Sequence, residues 1–346
     1  LLKSIFRIYI KLMQSYDQKI YKLFYIWLIF SFWMVFIMIA VGGLTRLTDS
    51  GLSITEWELF TGILPPLNNE AWEKYFSLYK EIPQYQLINR DMNIEEFKII
   101  FYWEYFHRVL ARIIGLFFLI PLIYFHFSKK IDNKYLSQCY LIFALIIFQG
   151  VIGWFMVKSG LINDVTVSHY RLSLHLITAI LIISIIFWLI NNLKNKTFKS
   201  FFKINIKNLP FLVLILIVYL QIIIGAFVSG LDAGKIYQTW PFMGYSYLPN
   251  DINFIDLKNF FNFSQHSLVQ FYHRNLAYII TLYILILSYF IYKNKNFKLY
   301  KNINLILIVL TIQIFLGIYT LVSGLNIFLA SAHQICSVLL VFSTIN

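Results

Sequence analysis

The stretch "WEYFHRVLAR", residues 103–112, runs directly into "IIGLFFLIPLIYF", residues 113–125. The second part is apolar enough to lie in lipid, yet the first sets Glu104, His107, Arg108 and Arg112 at its threshold. Ionisable side chains are costly within a bilayer and generally serve a function there. What these four serve depends on the rest of the chain.

Composition sets the class. The 346 residues are 59% hydrophobic, 19% aromatic and only 13% charged, which no ordinary soluble domain matches. Apolar runs of about 20 residues recur, each long enough to cross roughly 30 Å of hydrocarbon. Eight spans are expected, at about 24–44, 99–127, 135–157, 169–192, 208–229, 267–292, 303–323 and 327–345. The first is too long for a removable signal peptide and lacks a small-residue cleavage site. The chain opens on Leu1 rather than Met and stops inside the last span, so both ends are expected to be cut short.

The net charge of +13 does not point to nucleic acid, because of where it sits. Lys and Arg crowd the N-terminal segment (Lys3, Arg7, Lys11, Lys19, Lys22) and alternate connections: Lys129, Lys130 and Lys134; Lys194, Lys196, Lys199, Lys203 and Lys207; Lys293, Lys295, Lys298 and Lys301. This is the positive-inside pattern, with both termini expected in the cytoplasm. Cys139 and Cys336 both fall within spans and form no metal or haem-attachment spacing, so a structural disulfide is not expected.

The opening stretch has a second copy. "YFHR" at 105–108 returns as "FYHR" at 271–274, and "QGVIGWFMVKSGL" at 149–161 as "QIFLGIYTLVSGL" at 313–325. "GGLTRLTDSGLSITEW", 42–57, follows the first span, and "GAFVSGLDAGKIYQTW", 225–240, follows the fifth. Asp49, Gly51 and Trp57 then align with Asp232, Gly234 and Trp240 at one constant offset, and "SLHL", 173–176, aligns with "SAHQ", 331–334. Four spans per unit is an even number, so both copies enter from one face. The expected fold is an all-α integral membrane protein of eight transmembrane helices, arranged as two pseudo-symmetric four-helix bundles about an axis along the membrane normal. The divisions are a cytoplasmic segment at 1–23, a bundle at 24–192, a basic linker at 193–207 and a second bundle at 208–346. In the long outer loop at 46–98, "NNEAWEKYFSLYKEI" reads as a short amphipathic helix lying along the surface.

Four of the seven histidines sit at repeat-equivalent places: His107, His175, His273 and His333. Each lies some seven to ten residues inside the outer end of an even-numbered span, roughly 10–15 Å deep. Two can therefore face each other in each bundle. Opposed imidazoles inside a four-helix membrane bundle suit a haem with two axial histidines, held without covalent attachment. Zinc would need further ligands, and none is evident. His126, His169 and His266 read as structural. Haem propionates would point outward, where Arg171, Arg108, Arg274 and Arg46 are candidates to bind them; interfacial snorkelling is the other reading. Arg112 lies deeper, without a counterpart in the repeat.

The halves differ at one place. Glu104 lies three residues before His107, on the same helical face, and its counterpart before His273 is Gln270. A carboxylate beside one iron site can take protons, stabilise a cation or act as a nucleophile, or else simply pair with Arg108 or Arg46. By the same comparison, a carboxylate placed at 270 is expected to be unpartnered at membrane depth.

These blocks, with "WEYFHR", "RLSLHL", "FYHR" and "AHQ", resemble the haem A synthase family, in particular its bacterial inner-membrane and mitochondrial branch. The resemblance covers nearly the whole chain. It implies a cell inner-membrane oxidoreductase that converts haem O to haem A for terminal oxidases, oxidising a ring methyl to a formyl group by two hydroxylations and loss of water. It also implies that His107 and His175 position haem O, that Glu104 is the essential carboxylate, and that His273 and His333 hold a haem b. The haem O synthase that supplies the substrate is a candidate partner, as are an unspecified electron donor or acceptor and a second copy of the chain. The family's other branch carries an outer-loop cysteine pair, which is absent here. Two other classes stay open: a dihaem cytochrome b that oxidises quinol, and a transporter built from parallel repeats.

Overall fold

A computed structural model describes residues 2–56, 61–163, 165–199, 201, 208–252 and 257–345; Trp57, Lys203 and Lys207 lie outside them. Eight of its helices are long and apolar enough to cross a membrane. They are α1 (Leu2–Leu47), α4 (Ile94–Ser128), α5 (Asn133–Asn163), α6 (His169–Lys194), α7 (Leu209–Gly230), α8 (His266–Lys293), α9 (Tyr300–Val322) and α10 (Ile327–Ile345). The basic N-terminal segment is helical and continuous with the first span. Two short helices, α2 (Asn69–Lys80) and α3 (Pro83–Leu87), occupy the first long loop.

Local chemistry sets the ends. Asn93 caps α4 by accepting from the backbone of Glu95 and Glu96, while the Glu96 carboxylate accepts from the Asn93 N–H. This reciprocal box satisfies donors that the first helical turn leaves open. At the other end Lys129 turns left-handed (φ 52°), and the chain reverses into α5.

The helices close into two rings of neighbours. In the first, α1 touches α4 and α6, and α5 touches α4 and α6; in the second, α7 touches α8 and α10, and α9 touches α8 and α10. Exchanging α1, α4, α5, α6 for α7, α8, α9, α10 maps one ring on the other. The seam between them is made by α6 with α7, α1 with α10, and α6 with α10, a set that also maps on itself. The α6 helix is the most enclosed, with 50% of its apolar stretch buried, and α5 the least, with 11%. So α5 is a wall toward lipid.

Aromatic packing fills the half that holds the N-terminal part of α1 and the C-terminal part of α10. Trp27 meets Phe118 at 4.6 Å and Phe24 meets Phe125 edge-on at 5.1 Å, fixing α1 to α4. Across the seam Phe342 stacks on Phe187 at 4.9 Å and meets Phe32 at 5.1 Å. Such pairs add about 0.5–1.5 kcal/mol each beyond burial. Open space remains in the opposite half.

The amphipathic segment at 68–82 is a helix, but its apolar face does not serve a lipid surface. Trp72, Phe76 and Tyr79 are buried against Phe97 and Phe101 at the start of α4. An apolar stripe alone cannot tell lipid from protein as its cover; here α4 runs beyond its apolar stretch and provides it.

Candidate functional site

A cavity of about 1450 Å³ occupies the half of the bundle that contains the four repeat-matched histidines, lined by residues from all eight long helices. Single small-molecule sites usually span about 300–1,000 Å³, so it has room for more than one ligand. Its walls are largely apolar, and its polar groups include the histidines, arginines and Glu104 and Gln270 that the repeat singled out.

All four repeat-matched histidines line it. His107 faces His175 with ring centroids 6.4 Å apart, and His273 faces His333 at the same 6.4 Å. An imidazole nitrogen binds a metal at about 2.0 Å with its ring centroid roughly 1 Å behind, so rings on opposite sides of one ion stand roughly 6 Å apart. Both pairs have that separation. Nδ1 of His175 and of His333 is buried without a hydrogen-bond partner. Among the described residues no three His, Cys, Asp or Glu cluster to hold a bare metal ion. The donor set thus fits a planar macrocycle with two axial imidazoles and does not fit zinc.

Each ring is seated on a glycine. A Cβ at Gly42 would stand 3.3 Å from His107 Nε2, and one at Gly153 3.2 Å from His175 Cε1. In the second half a Cβ at Gly225 would stand 3.0 Å from His273 Cε1, and one at Gly317 2.8 Å from His333 Cε1. Gly42 and Gly225, and Gly153 and Gly317, are repeat partners in the blocks above. Their identity was visible there, but which ring each one faces was not.

Glu104 is 3% exposed and fully engaged. Arg108 donates to Oε1 from Nη2 at 2.6 Å and from Nε at 3.0 Å; the Ser53 hydroxyl at 2.7 Å and the Ile54 N–H at 2.8 Å donate to Oε2. Arg108 Nη2 also donates to Ile54 O at 2.9 Å. The second half repeats the frame with opposite polarity. Arg274 Nη2 donates to Tyr237 O at 2.9 Å, and Tyr237 is the repeat partner of Ile54. Gln270, also 3% exposed, donates its amide to that carbonyl at 2.8 Å. Gln270 Oε1 and Arg274 Nε then find no partner. One half pairs its arginine with a carboxylate; the other leaves its arginine without one.

The model of the family described as cytochrome oxidase assembly protein matches residues 25–345. The chain belongs to this family. It is 50% identical over 319 residues to the Heme A synthase of Pelagibacter ubique, covering 92% of this chain and 93% of that one. It is 42% identical to the Heme A synthase of Rickettsia canadensis over 319 residues (91% and 93%), and 41% identical to that of Flavobacterium psychrophilum over 327 residues (92% and 95%).

In this member of the cytochrome oxidase assembly family the remaining candidates take distinct places. Arg46 sits on the seam: Nη1 donates to Asp49 at 2.6 Å, and Nη2 donates to Asp232 at 3.0 Å and to Ser229 O at 2.7 Å. Asp49 and Asp232 are repeat partners, so one guanidinium bridges both halves at the wall of the cavity. Arg171 stacks on Phe155 at 4.6 Å and is not among the cavity-lining residues. Arg112 lines the cavity and donates to Gly62 O at 3.2 Å, tying the first loop to α4. His126 meets the Tyr140 hydroxyl at 2.5 Å and His169 packs on Tyr170 and Phe227, both outside the two pairs. Sequence reading passed over Gln221, whose amide lies 3.1 Å from His273 Nδ1 and donates to His273 O at 3.0 Å. Groups in such a place orient a ligating ring.

Proposed function

We propose that the chain is a haem A synthase, oxidising a ring methyl of haem O to the formyl group of haem A. The observation that carries this reading is the single carboxylate, Glu104, in a frame otherwise repeated around Gln270. The names of the relatives support it, and so does the equal spacing of the two histidine pairs. A symmetric electron carrier gives no reason for the halves to differ there.

In this reading residues 24–192 form the catalytic half and 208–346 the half that holds haem b. His107 and His175 would position haem O, the substrate, and His273 and His333 would hold haem b. When bound, haem b supplies an electron relay. Glu104 stands one turn outward of His107 and accepts protons released as the methyl is oxidised. Arg108 fixes Oε1, and Ser53 with the Ile54 N–H fixes Oε2, so the carboxylate is held in place before substrate arrives. Arg274, which has no carboxylate partner, is the best placed cation for a propionate in the second half. In the first half Arg46 and Arg108, each already paired with carboxylates, would meet a propionate only through their remaining donors, and Arg171 would reach one only by leaving Phe155. The protein would sit in the cell inner membrane with both termini cytoplasmic, drawing haem O from its synthase and exchanging electrons with a partner.

The test is expression of the full chain in membranes that contain haem O and no haem A, followed by chromatography of extracted haems. Haem A is the expected product. Unchanged haem O beside protein-bound haem b would favour the dihaem cytochrome and overturn the proposal. The seating of the rings gives a second expectation. Gly317→Val presses on His333 and should lower haem b occupancy on the order of tenfold, as changes that disturb a ligand's support do. An unaltered low-spin spectrum would show that the glycine is not needed.

A further inference from the structure

Between α4 and α5 the cavity lining includes exposed residues of both helices; at the matching place in the second half α8 offers the exposed Tyr278, but no lining residue of α9 is exposed. Ile147, Gly150 and Val151 on α5, with Ala111 on α4, line the cavity and are also exposed on the outer surface. Residues that face both ways form the rim of an opening. No heavy atom lies within 4 Å of where a Cβ at Gly150 would stand, and the same holds at Gly115, the next turn of α4. The repeat partners tell against a matching opening. Gly150 is replaced by Ile314, which packs on the core, and Gly115 by Thr281. Thr311 and Phe315, in place of Ile147 and Val151, do not line the cavity.

The window lies beside the first histidine pair. Ala111 follows His107 by one helical turn, and Gly150 precedes Gly153, the seat of His175, by about one turn. We propose that this window is a binding site for the isoprenoid chain of the substrate porphyrin, leading the chain from the pocket between α4 and α5 into lipid. The inference rests on the first half being the substrate half. It accounts for the difference between α5 and α9: haem O carries a long isoprenoid chain and haem b does not. A chain of that length closed inside the pocket would compete with the macrocycle for space. Laid through an apolar window, it keeps its contacts with hydrocarbon and adds binding energy remote from the reacting methyl.

Gly150→Ile gives the first half the residue of the second, and Ala111→Leu narrows the window from the other helix. Neither residue belongs to the ligand or carboxylate machinery, and an unaltered haem b spectrum in the second half reports a correct fold. Both variants, as full chains in lipid nanodiscs with haem b in place, would be titrated with haem O and with protohaem, which lacks the chain. Each should lose about tenfold or more in haem O affinity and kcat/KM, with protohaem binding within about twofold of wild type. Equal affinity for haem O in wild type and both variants would overturn the inference. An equal loss of both porphyrins would overturn it too, since the window would then be a general doorway. Failure of the wild type to convert haem O would strike the proposed function instead, while the difference between the two porphyrins in binding would still decide the window.

Discussion

Glu104→Gln should leave haem O unconverted while the protein keeps its fold and both haem sites. The substitution is nearly isosteric, and the second half already contains its outcome: Gln270 donates to Tyr237 O beside Arg274. An amide at 104 can make the same bond to Ile54 O. What is lost is the anion between Arg108 and the loop, and with it the proposed proton acceptor. Positioned acid–base groups contribute about 10²–10⁴-fold in rate, so haem A should fall by that order, with haem O or a partly oxidised haem accumulating. Chromatography of extracted haems reads the result. Near-normal haem A would make Glu104 an anchor for Arg108 and residues 53–54 and nothing more.

The reciprocal change reverses an expectation from sequence. A carboxylate at 270 promised to be unpartnered at depth, but Arg274 Nε stands buried without a partner beside it. Gln270→Glu should therefore keep the fold by pairing with Arg274 as Glu104 does with Arg108. It would compete with a haem propionate for that guanidinium, so the low-spin haem b spectrum should weaken in a protein that still folds.

The second large effect separates the two histidine pairs. His273→Ala or His333→Ala should abolish the low-spin haem b spectrum, because each would remove one of the two imidazoles, 6.4 Å apart, proposed to hold that haem. His107→Ala or His175→Ala should leave that spectrum intact and abolish haem A formation. Spectra of the four purified variants, set against their haem composition, distinguish the halves. Haem A formed by either first-half variant would refute the assignment of the substrate, and full bis-histidine spectra in both second-half variants would refute that of haem b.

Much of this was legible because the chain states it twice. Eight apolar stretches gave the spans, and repeat-matched histidines gave the pairs, since period and spacing survive without coordinates. The arginines were less legible. Arg171 is one turn from His175, but four residues leave a rotation of about 40° on the helix, enough for its guanidinium to lie on Phe155 outside the cavity. Arg46 ends the first span as expected, yet its partners Asp49 and Asp232 come from both repeats, and a contact across the seam has no signature in either copy. The four glycines were quoted in the repeated blocks without a role, because a missing side chain acquires meaning only from the ring that fills its place. The helix at 69–80 was expected at a lipid surface and instead packs on α4, which hydrophobic spacing alone does not decide.

The central claim is that one chain holds two haem sites of which only the first is built for chemistry. The most direct measurement is the identity and stoichiometry of the haems extracted from purified wild-type protein produced where haem O is available. Two haems per chain, one of them haem b and the other haem O or haem A, is the result the account predicts. Haem b alone at any occupancy, or a colourless protein, would contradict it.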